Sequence, residues 1–196
     1  MKKPLLLIGG GGHCRSCIDV IEQEGRFQIV GIIDLPEKLN QPVFGYPVIG
    51  SDKDLANLIP SHPDILITLG QIKSPARREE LFNLAKKLGA KFPVIQSPLA
   101  YVSSHARIEE GTIVMHQALI NAGAQVGKNC IINSKALVEH DAKIGDHCHI
   151  STGALVNGGV VVGKGSFWGS GAVSQEGADL PPDSRIKANS LMRRMP

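Results

Sequence analysis

Aromatic residues are scarce in this 196-residue chain, which has one tryptophan, two tyrosines and five phenylalanines. Binding single-stranded nucleic acid needs aromatic faces beside a basic track. Here the basic residues gather no further than pairs such as Arg77-Arg78 and Lys86-Lys87, and the net charge is only +3. Both features argue against a nucleic-acid groove. Long apolar runs are missing too. Leu5 to Ile8, near the start, is too short for a membrane span or a signal-peptide core, so the expected location is cytoplasmic. Cysteine is limited to four residues, which fits no secreted disulfide framework. Cys14 and Cys17 form a Cys-x-x-Cys pair, but four glycines precede it, and packing into a core is the expected role rather than redox chemistry.

What the chain does have is a period of six. From Val102 to Leu180 every sixth residue is apolar, through Ile108, Val114, Ile120, Val126, Ile132, Val138, Ile144, Ile150, Val156, Val162 and Trp168, with Ser174 the one exception. Two residues before each lies a small residue, among them Ala118, Ala124, Cys130, Ala136, Ala142, Cys148 and Ala154. A helix repeats every 3.6 residues and a strand every two. Six fits a hexapeptide solenoid, in which short strands form three walls and a coil takes about eighteen residues. The 79 residues from Val102 to Leu180 then make about four and a half coils. Residues eighteen apart stack at about 4.8 Å, which predicts Cys130 above Cys148 as two packed thiols.

The first hundred residues alternate strands and helices. Pro4 to Ile8 reads as a buried strand, followed by Gly9-Gly10-Gly11-Gly12-His13 and a helix from Cys14 to Glu24 that Gly25 ends. Strand, glycine loop and helix start together make an anion-binding arrangement. The dinucleotide fingerprint is incomplete, because position 14 is cysteine rather than glycine. Phe27 to Ile33 is a second strand ending on Asp34, which is placed either to accept hydrogen bonds from a ribose or base or to make a turn before Pro36. Further elements are a Ser51-capped helix through Leu58, a strand from Asp64 to Leu69, a helix opened by Ser74-Pro75 and running to Leu88, and a last strand from Lys91 to Ile95. The expected fold is therefore an α/β, Rossmann-like domain over residues 1–96, joined to a β-helix over residues 97–196.

Charged residues and histidines that interrupt the repeat mark candidate chemistry. Glu139-His140-Asp141 is the densest such stretch, with His147 and His149 just after it. A carboxylate beside a histidine can fix its tautomer and stabilise its imidazolium, as a general base requires; a surface histidine on a polar turn is the plain alternative.

Together, Ile8-Gly9-Gly10-Gly11-Gly12-His13, Ile33-Asp34, Leu69-Gly70 and Val138-Glu139-His140-Asp141-Ala142-Lys143-Ile144-Gly145 with His149 resemble the bacterial sugar acetyltransferases that join a small nucleotide-binding domain to a left-handed β-helix. These include UDP-4-amino-sugar and GDP-perosamine N-acetyltransferases and proteins called sialic acid O-acetyltransferases. The resemblance supplies the left hand, which the period does not. It implies an acetyl-CoA-dependent N-acetyltransferase acting on a nucleotide-linked amino sugar, with no metal. His140 would be the base, with Asp141 or Glu139 orienting it, and Asn133, His149 and Gly158 would contact the coenzyme. Gly11, Gly12, His13, Asp34 and Gly70 would contact the sugar nucleotide, in a homotrimer whose active sites lie between protomers. The oxyanion would be held by N–H groups of a stretch such as Gly158-Gly159. Lys187-Ala188-Asn189-Ser190 replaces the family's usual Gly-x-Pro-Ala. Rival readings are an O-acetyltransferase of a sialic or nonulosonic acid, a γ-type carbonic anhydrase with zinc held by three histidines, and a non-catalytic nucleotide sensor.

Overall fold

The structure is a computed structural model that describes residues 2–194. Two compact units emerge. One takes the chain up to Gly70 together with Arg77–Pro93; the other takes Gln71–Ala76 and the chain from Val94 onward.

In the first unit, β1 (Lys3–Ile8), β2 (Phe27–Ile33) and β5 (Ile65–Ile67) are parallel, and β3 (Pro42–Val43) and β4 (Tyr46–Gly50) extend the sheet, giving the order β3-β4-β2-β1-β5. The apolar run of β1 has its last four residues buried, as expected of a parallel strand covered on both faces. Helix α1 (Gly12–Glu24) buries Cys14, Cys17, Ile18, Val20 and Ile21, and Gly25 ends it with a left-handed backbone, its N–H donating to the Ile21 carbonyl. Helices α2 (Leu55–Leu58) and α3 (Ala76–Lys87) come next, and Leu55, Leu81 and Phe82 pack with Leu6, Ile8 and Ile67.

Two elements differ from expectation. β3 and β4 form an antiparallel hairpin between Asp34 and the Ser51-capped helix, where no element is expected. β4 tolerates Pro47 because its pairing to β2 is made through Val48 and Gly50. Conversely, no strand runs from Lys91 to Ile95: Lys91 makes one bridge to Asp64, and Pro93 breaks the chain's extension toward Ile95. Ile95–Gln96 instead pairs with Ile113–Val114 and begins the solenoid.

The second unit is a three-sided parallel β-helix with sheets of six, five and six short strands. The first wall is built from Tyr101–Val102, Leu119–Ile120, Leu137–Val138, Leu155–Val156, Val173–Ser174 and Leu191–Met192. The second runs from Arg107–Ile108 to Asp179–Leu180, and the third from Ile95–Gln96 to Arg185–Ile186. Every pairing has a register of eighteen, for example Leu137 with Leu155 and Val138 with Val156. From Val102 onward the second residue of each strand points inward, and Val138, Ile150, Val156 and Trp168 are fully buried in the core. Ser174, the exception in that row, accepts the Asn157 N–H on its Oγ at 2.7 Å. The coils run past both ends of the clean apolar period, and Lys187 to Ser190 makes an ordinary corner in which Ser190 Oγ donates to the Lys187 carbonyl at 2.7 Å.

Corners repeat as regularly as walls. Positive φ recurs at residues 111, 117, 123, 129, 135, 141, 147, 153, 159, 165, 171, 177, 183 and 189, mostly Gly, Asn or Asp. Those residue types tolerate the left-handed region that lets the chain turn through each corner. Cys130 and Cys148 lie one coil apart as buried free thiols, donating to the carbonyls of Gly145 and Gly163 respectively, both at 3.2 Å. Among the described residues, no helix is long and apolar enough to cross a membrane.

Candidate active site

In the first unit the glycine loop is held from two sides. The Gly10 N–H donates to Asp34 Oδ2 at 2.8 Å, and the Leu35 N–H donates to Asp34 Oδ1 at 2.7 Å. Thr68 Oγ1 donates to the Gly9 carbonyl at 2.6 Å. Gly9 has φ +106°, and a Cβ there would meet Leu69 Cγ at 2.7 Å, so no other residue fits. Asp34 is therefore both a turn residue and the clamp on the loop. Gly11 and Gly12 have open space above them, and α1 begins there with no side-chain cap and no acid in its first turn. Such an end exposes N–H donors to an anion.

Asp34 and Gly9 also line a cavity of about 230 Å³, together with Ile33, Asp52, Leu69 and Arg77. Arg77 forms ion pairs with Asp52 and Glu80. Gly11, Gly12, His13 and Gly70 do not line this cavity; a Cβ on Gly70 would sit 3.5 Å from that of His13. The predicted nucleotide residues thus form two adjoining groups linked by Asp34 and Gly10. Cys14 and Cys17 are buried behind the loop, and burial pushes both thiols up, Cys14 to about 11. Such thiols are not thiolates near neutrality, as the packing role requires.

In the second unit Glu139, His140 and Asp141 form the corner between the first and second walls. His140 is exposed, with 55% of its side chain accessible. Its Nδ1 lies 3.0 Å from Asp141 Oδ2. Asp141 accepts only, so Nδ1 carries the proton and Nε2 presents its lone pair. Glu139 Oε2 accepts the His140 N–H at 3.1 Å and the Asn121 amide at 2.7 Å. Asp141 thus holds the ring, while Glu139 holds the backbone. The Asp141 hydrogen bond raises the His140 pKa above its usual 6.5, helped by the charges of Asp141, Glu139 and Glu176 and opposed by desolvation.

Gly158 sits one coil above His140. A Cβ there would meet the ring's Cε1 and Nε2 at 2.7 Å, so glycine leaves the reactive edge uncovered. The neighbouring Gly159 N–H donates to the His140 carbonyl at 2.9 Å. It is thereby removed as an oxyanion donor, contrary to expectation, because the coil itself uses it. The Gly158 N–H donates to no backbone carbonyl among the described residues.

Asn133 and His149 lie elsewhere, at the corner between the third and first walls and on the third wall. The Asn133 amide nitrogen donates to His149 Nε2 at 3.0 Å, and His149 Nδ1 donates to the Gln71 carbonyl at 2.6 Å. Both ring nitrogens are engaged, which fixes His149 as a neutral, buried imidazole. Gln71, whose side chain donates to the His147 carbonyl at 2.9 Å, carries no periodic mark in the sequence. His147 occupies a left-handed corner position, with Nδ1 3.0 Å from the Asn129 amide one coil below. The strand Leu137–Val138 separates the Asn133–His149 pair from His140.

The chain is 30% identical to perosamine N-acetyltransferase from Caulobacter crescentus, solved as a histidine-to-asparagine mutant in complex with CoA and GDP-perosamine; the match covers 97% of this chain and 89% of that one, with a TM-score of 0.91. This chain belongs to the bacterial left-handed β-helix sugar acetyltransferases. As a member of that family it is an acetyltransferase. The acetyltransferase domain of PglB from Neisseria gonorrhoeae FA1090 is 29% identical, with 100% of this chain and 94% of that one covered and a TM-score of 0.91. The same domain in complex with acetyl coenzyme A is also 29% identical, covering 98% and 94% with a TM-score of 0.87. The PglD N-terminal domain family matches residues 4–84. No curated protein matches the chain. In this acetyltransferase the corner at His140 is where, among the described residues of the second unit, an exposed imidazole, an orienting carboxylate and an uncovered ring edge coincide.

Proposed function

We propose that this protein transfers the acetyl group of acetyl-CoA to the amine of a nucleotide-linked amino sugar, with His140 as general base. The observation that carries the reading is the 3.0 Å contact of His140 Nδ1 with Asp141, which leaves Nε2 unprotonated at an edge kept open by Gly158. The amine attacks the thioester carbon and gives up a proton to Nε2. The oxyanion collapses and expels the thiolate, which takes that proton back from His140. No metal or covalent enzyme intermediate is needed, because holding amine and thioester together supplies most of the rate. The Gly158 N–H, which donates to no backbone carbonyl among the described residues, is the candidate donor to the oxyanion.

The coenzyme is inferred from the relatives, one solved with acetyl coenzyme A and another with CoA and GDP-perosamine. A groove of about 350 Å³ along the second wall is lined by Arg107, Lys143 and Lys164, with Glu109 among them, and offers three cations to its phosphates. In the first unit the exposed N–H groups at Gly11, Gly12 and His13 suit the diphosphate of the acceptor, and Asp34 and Gly70 complete the loop that presents them.

The outward row of the first wall supports a homotrimer. Tyr101, Leu119, Leu137, Leu155, Val173 and Leu191 are all apolar, with Tyr101 61% and Leu191 57% exposed, whereas the second wall shows Arg107, Gln125, Lys143 and Asp179 outward with Val161 as its one apolar member. A contiguous apolar face of this kind marks a protein interface. Three first walls facing one axis bring the His140 corner of one subunit beside the Asn133–His149 corner of its neighbour, so that one coenzyme could touch both. Leu137→Asp together with Leu155→Asp should give monomers by sedimentation and abolish transfer; a double variant that stays trimeric removes the first wall as the interface.

The reaction is tested by thiol release from acetyl-CoA with GDP- and UDP-linked 4-amino sugars and with a sialic acid. Transfer to an amino sugar is expected. Transfer only to the sialic acid would replace this reading with O-acetylation, and silence with every acceptor would leave a nucleotide sensor. Asp34→Ala should raise the KM for the acceptor at least tenfold, by loosening the loop through Gly10, while the KM for acetyl-CoA stays within twofold. An unchanged acceptor KM would confine Asp34 to the turn.

A further inference from the structure

His140 is the middle of a vertical column. Residues eighteen apart stack on this corner, so Gly158 lies above His140 and Glu176 above Gly158. A Cβ placed on Gly158 would meet His140 Nε2 at 2.7 Å and Glu176 Oε1 at 3.3 Å. Both acceptor atoms therefore border the one small volume that glycine leaves empty. The backbone of Glu176 is held by Arg194, whose Nε donates to its carbonyl at 2.7 Å. Its side-chain carboxylate makes no hydrogen bond or ion pair among the described residues. Gly158 is thus more than a turn residue: it is the floor of a gap with a basic nitrogen on one side and a carboxylate on the other.

We infer that this gap is the seat of the acceptor's amino group and that Glu176 is a second group that touches it, accepting one N–H while His140 Nε2 accepts the other. The inference rests on the proposed N-acetyl transfer. A primary amine has two N–H bonds and one lone pair. With both N–H bonds anchored, the lone pair is left pointing out of the gap, toward an incoming thioester carbon. As the C–N bond forms and the C–S bond breaks, the proton held by Nε2 is the one transferred to it. The N–H held by Glu176 stays and becomes the amide N–H of the product.

The arrangement also selects the acceptor's chemistry. A hydroxyl has a single hydrogen and can satisfy only one of the two acceptors, so it gains less from the pair than an amine does. Before it loses its extra proton to solvent, an alkylammonium is attracted by Glu139, Asp141 and Glu176, whereas the carboxylate of a sialic acid is repelled by the same three groups. Arg194 is the cation at the column's top, and its Nε hydrogen bond goes to the Glu176 carbonyl, away from the gap. The charge at the imidazole is thus biased for an amine, consistent with the raised pKa of His140.

Steady-state kinetics with GDP-perosamine and acetyl-CoA test this. Glu176→Gln keeps the size of the side chain but removes its charge, and should lower kcat/KM for the amino sugar about tenfold to a hundredfold, the worth of a charged hydrogen bond, with the KM for acetyl-CoA within twofold. Glu176→Asp should recover part of the loss. The His140 pKa, read by NMR titration, should fall in Glu176→Gln, which a merely structural role would not produce. Gly158→Ala should lose more than either variant, because the new methyl fills the gap. If Glu176→Gln transfers to the amino sugar within twofold of wild type, the inference is overturned while the proposed function stands. If the wild-type protein acetylates no nucleotide amino sugar, the proposed function falls and takes this inference with it.

Discussion

Replacing His140 by alanine is expected to reduce turnover by at least a hundredfold while leaving the affinity for acetyl-CoA within twofold of wild type. General-base contributions are of about this size. The side chain is exposed and packs on nothing in the core, so the variant should also unfold at the wild-type urea concentration. That separates loss of chemistry from loss of fold; a variant turning over at near the wild-type rate would remove His140 from the mechanism. The pH dependence gives an independent check. In the proposed mechanism the neutral imidazole is the base, and the neighbouring carboxylates favour its charged form, holding its pKa above 6.5. Activity should therefore fall on the acid side with a midpoint above 6.5. Asp141→Asn removes the largest cause of that shift, so the midpoint should move to lower pH while the maximal rate drops, since a less basic imidazole is a weaker acceptor. Asparagine tolerates the left-handed backbone at this position (φ 59°), so the corner itself should survive. A midpoint that does not move would separate Asp141 from the base.

The solenoid is legible in the sequence because two independent periodicities coincide, the inward aliphatic row and the small row before it. A third lies in the same residues. The Gly, Asn and Asp row at the corners, from Gly111 to Asn189, marks the left-handed turns. That row makes His147 a corner residue and shows that Asp141 turns the chain as well as flanking His140. The ends are harder to see, because Ile95 and Ile186 lie beyond Pro98 and Pro181-Pro182, where composition suggests a break; the coils nevertheless continue by backbone pairing, which leaves no mark on side-chain type. The β3–β4 hairpin is hidden for a related reason, since its prolines sit where the partner strand asks for no N–H. At the site, His140 and its carboxylates are visible as neighbours in sequence. The interval of eighteen also places Gly158 and Glu176 over His140, but it does not show that their atoms border one gap, which depends on side-chain direction at the corner. No period could reveal Gln71, because it belongs to the second unit while being flanked in sequence by the first.

Trp168→Ala should cost about 3–5 kcal/mol of stability, the range for removing a large buried aromatic side chain. Trp168 is fully buried on the third wall between Ile150 below and Ile186 above, and its indole N–H donates to the Ala172 carbonyl at 3.1 Å. Truncation leaves a cavity and removes one of the two hydrogen bonds at the Ala172 carbonyl, which still accepts the Leu155 N–H at 2.8 Å. Trp168→Phe retains most of the volume and forfeits only the hydrogen bond, so its loss should be near 1 kcal/mol. Because each coil packs only on its neighbours, the damage should not spread evenly through the array. Amides from about Ser151 onward should exchange faster in Trp168→Ala, while those around Val114 and Ile132 remain protected. The loosened coil is the one that carries Glu176, and the coil below it carries Gly158. In the proposed mechanism, acceptor KM should then rise at temperatures where circular dichroism still reports an intact β-helix. A urea midpoint within experimental error of wild type would mean that the core closes around the missing indole, and uniform exchange across all coils would show that the solenoid unfolds as one cooperative block.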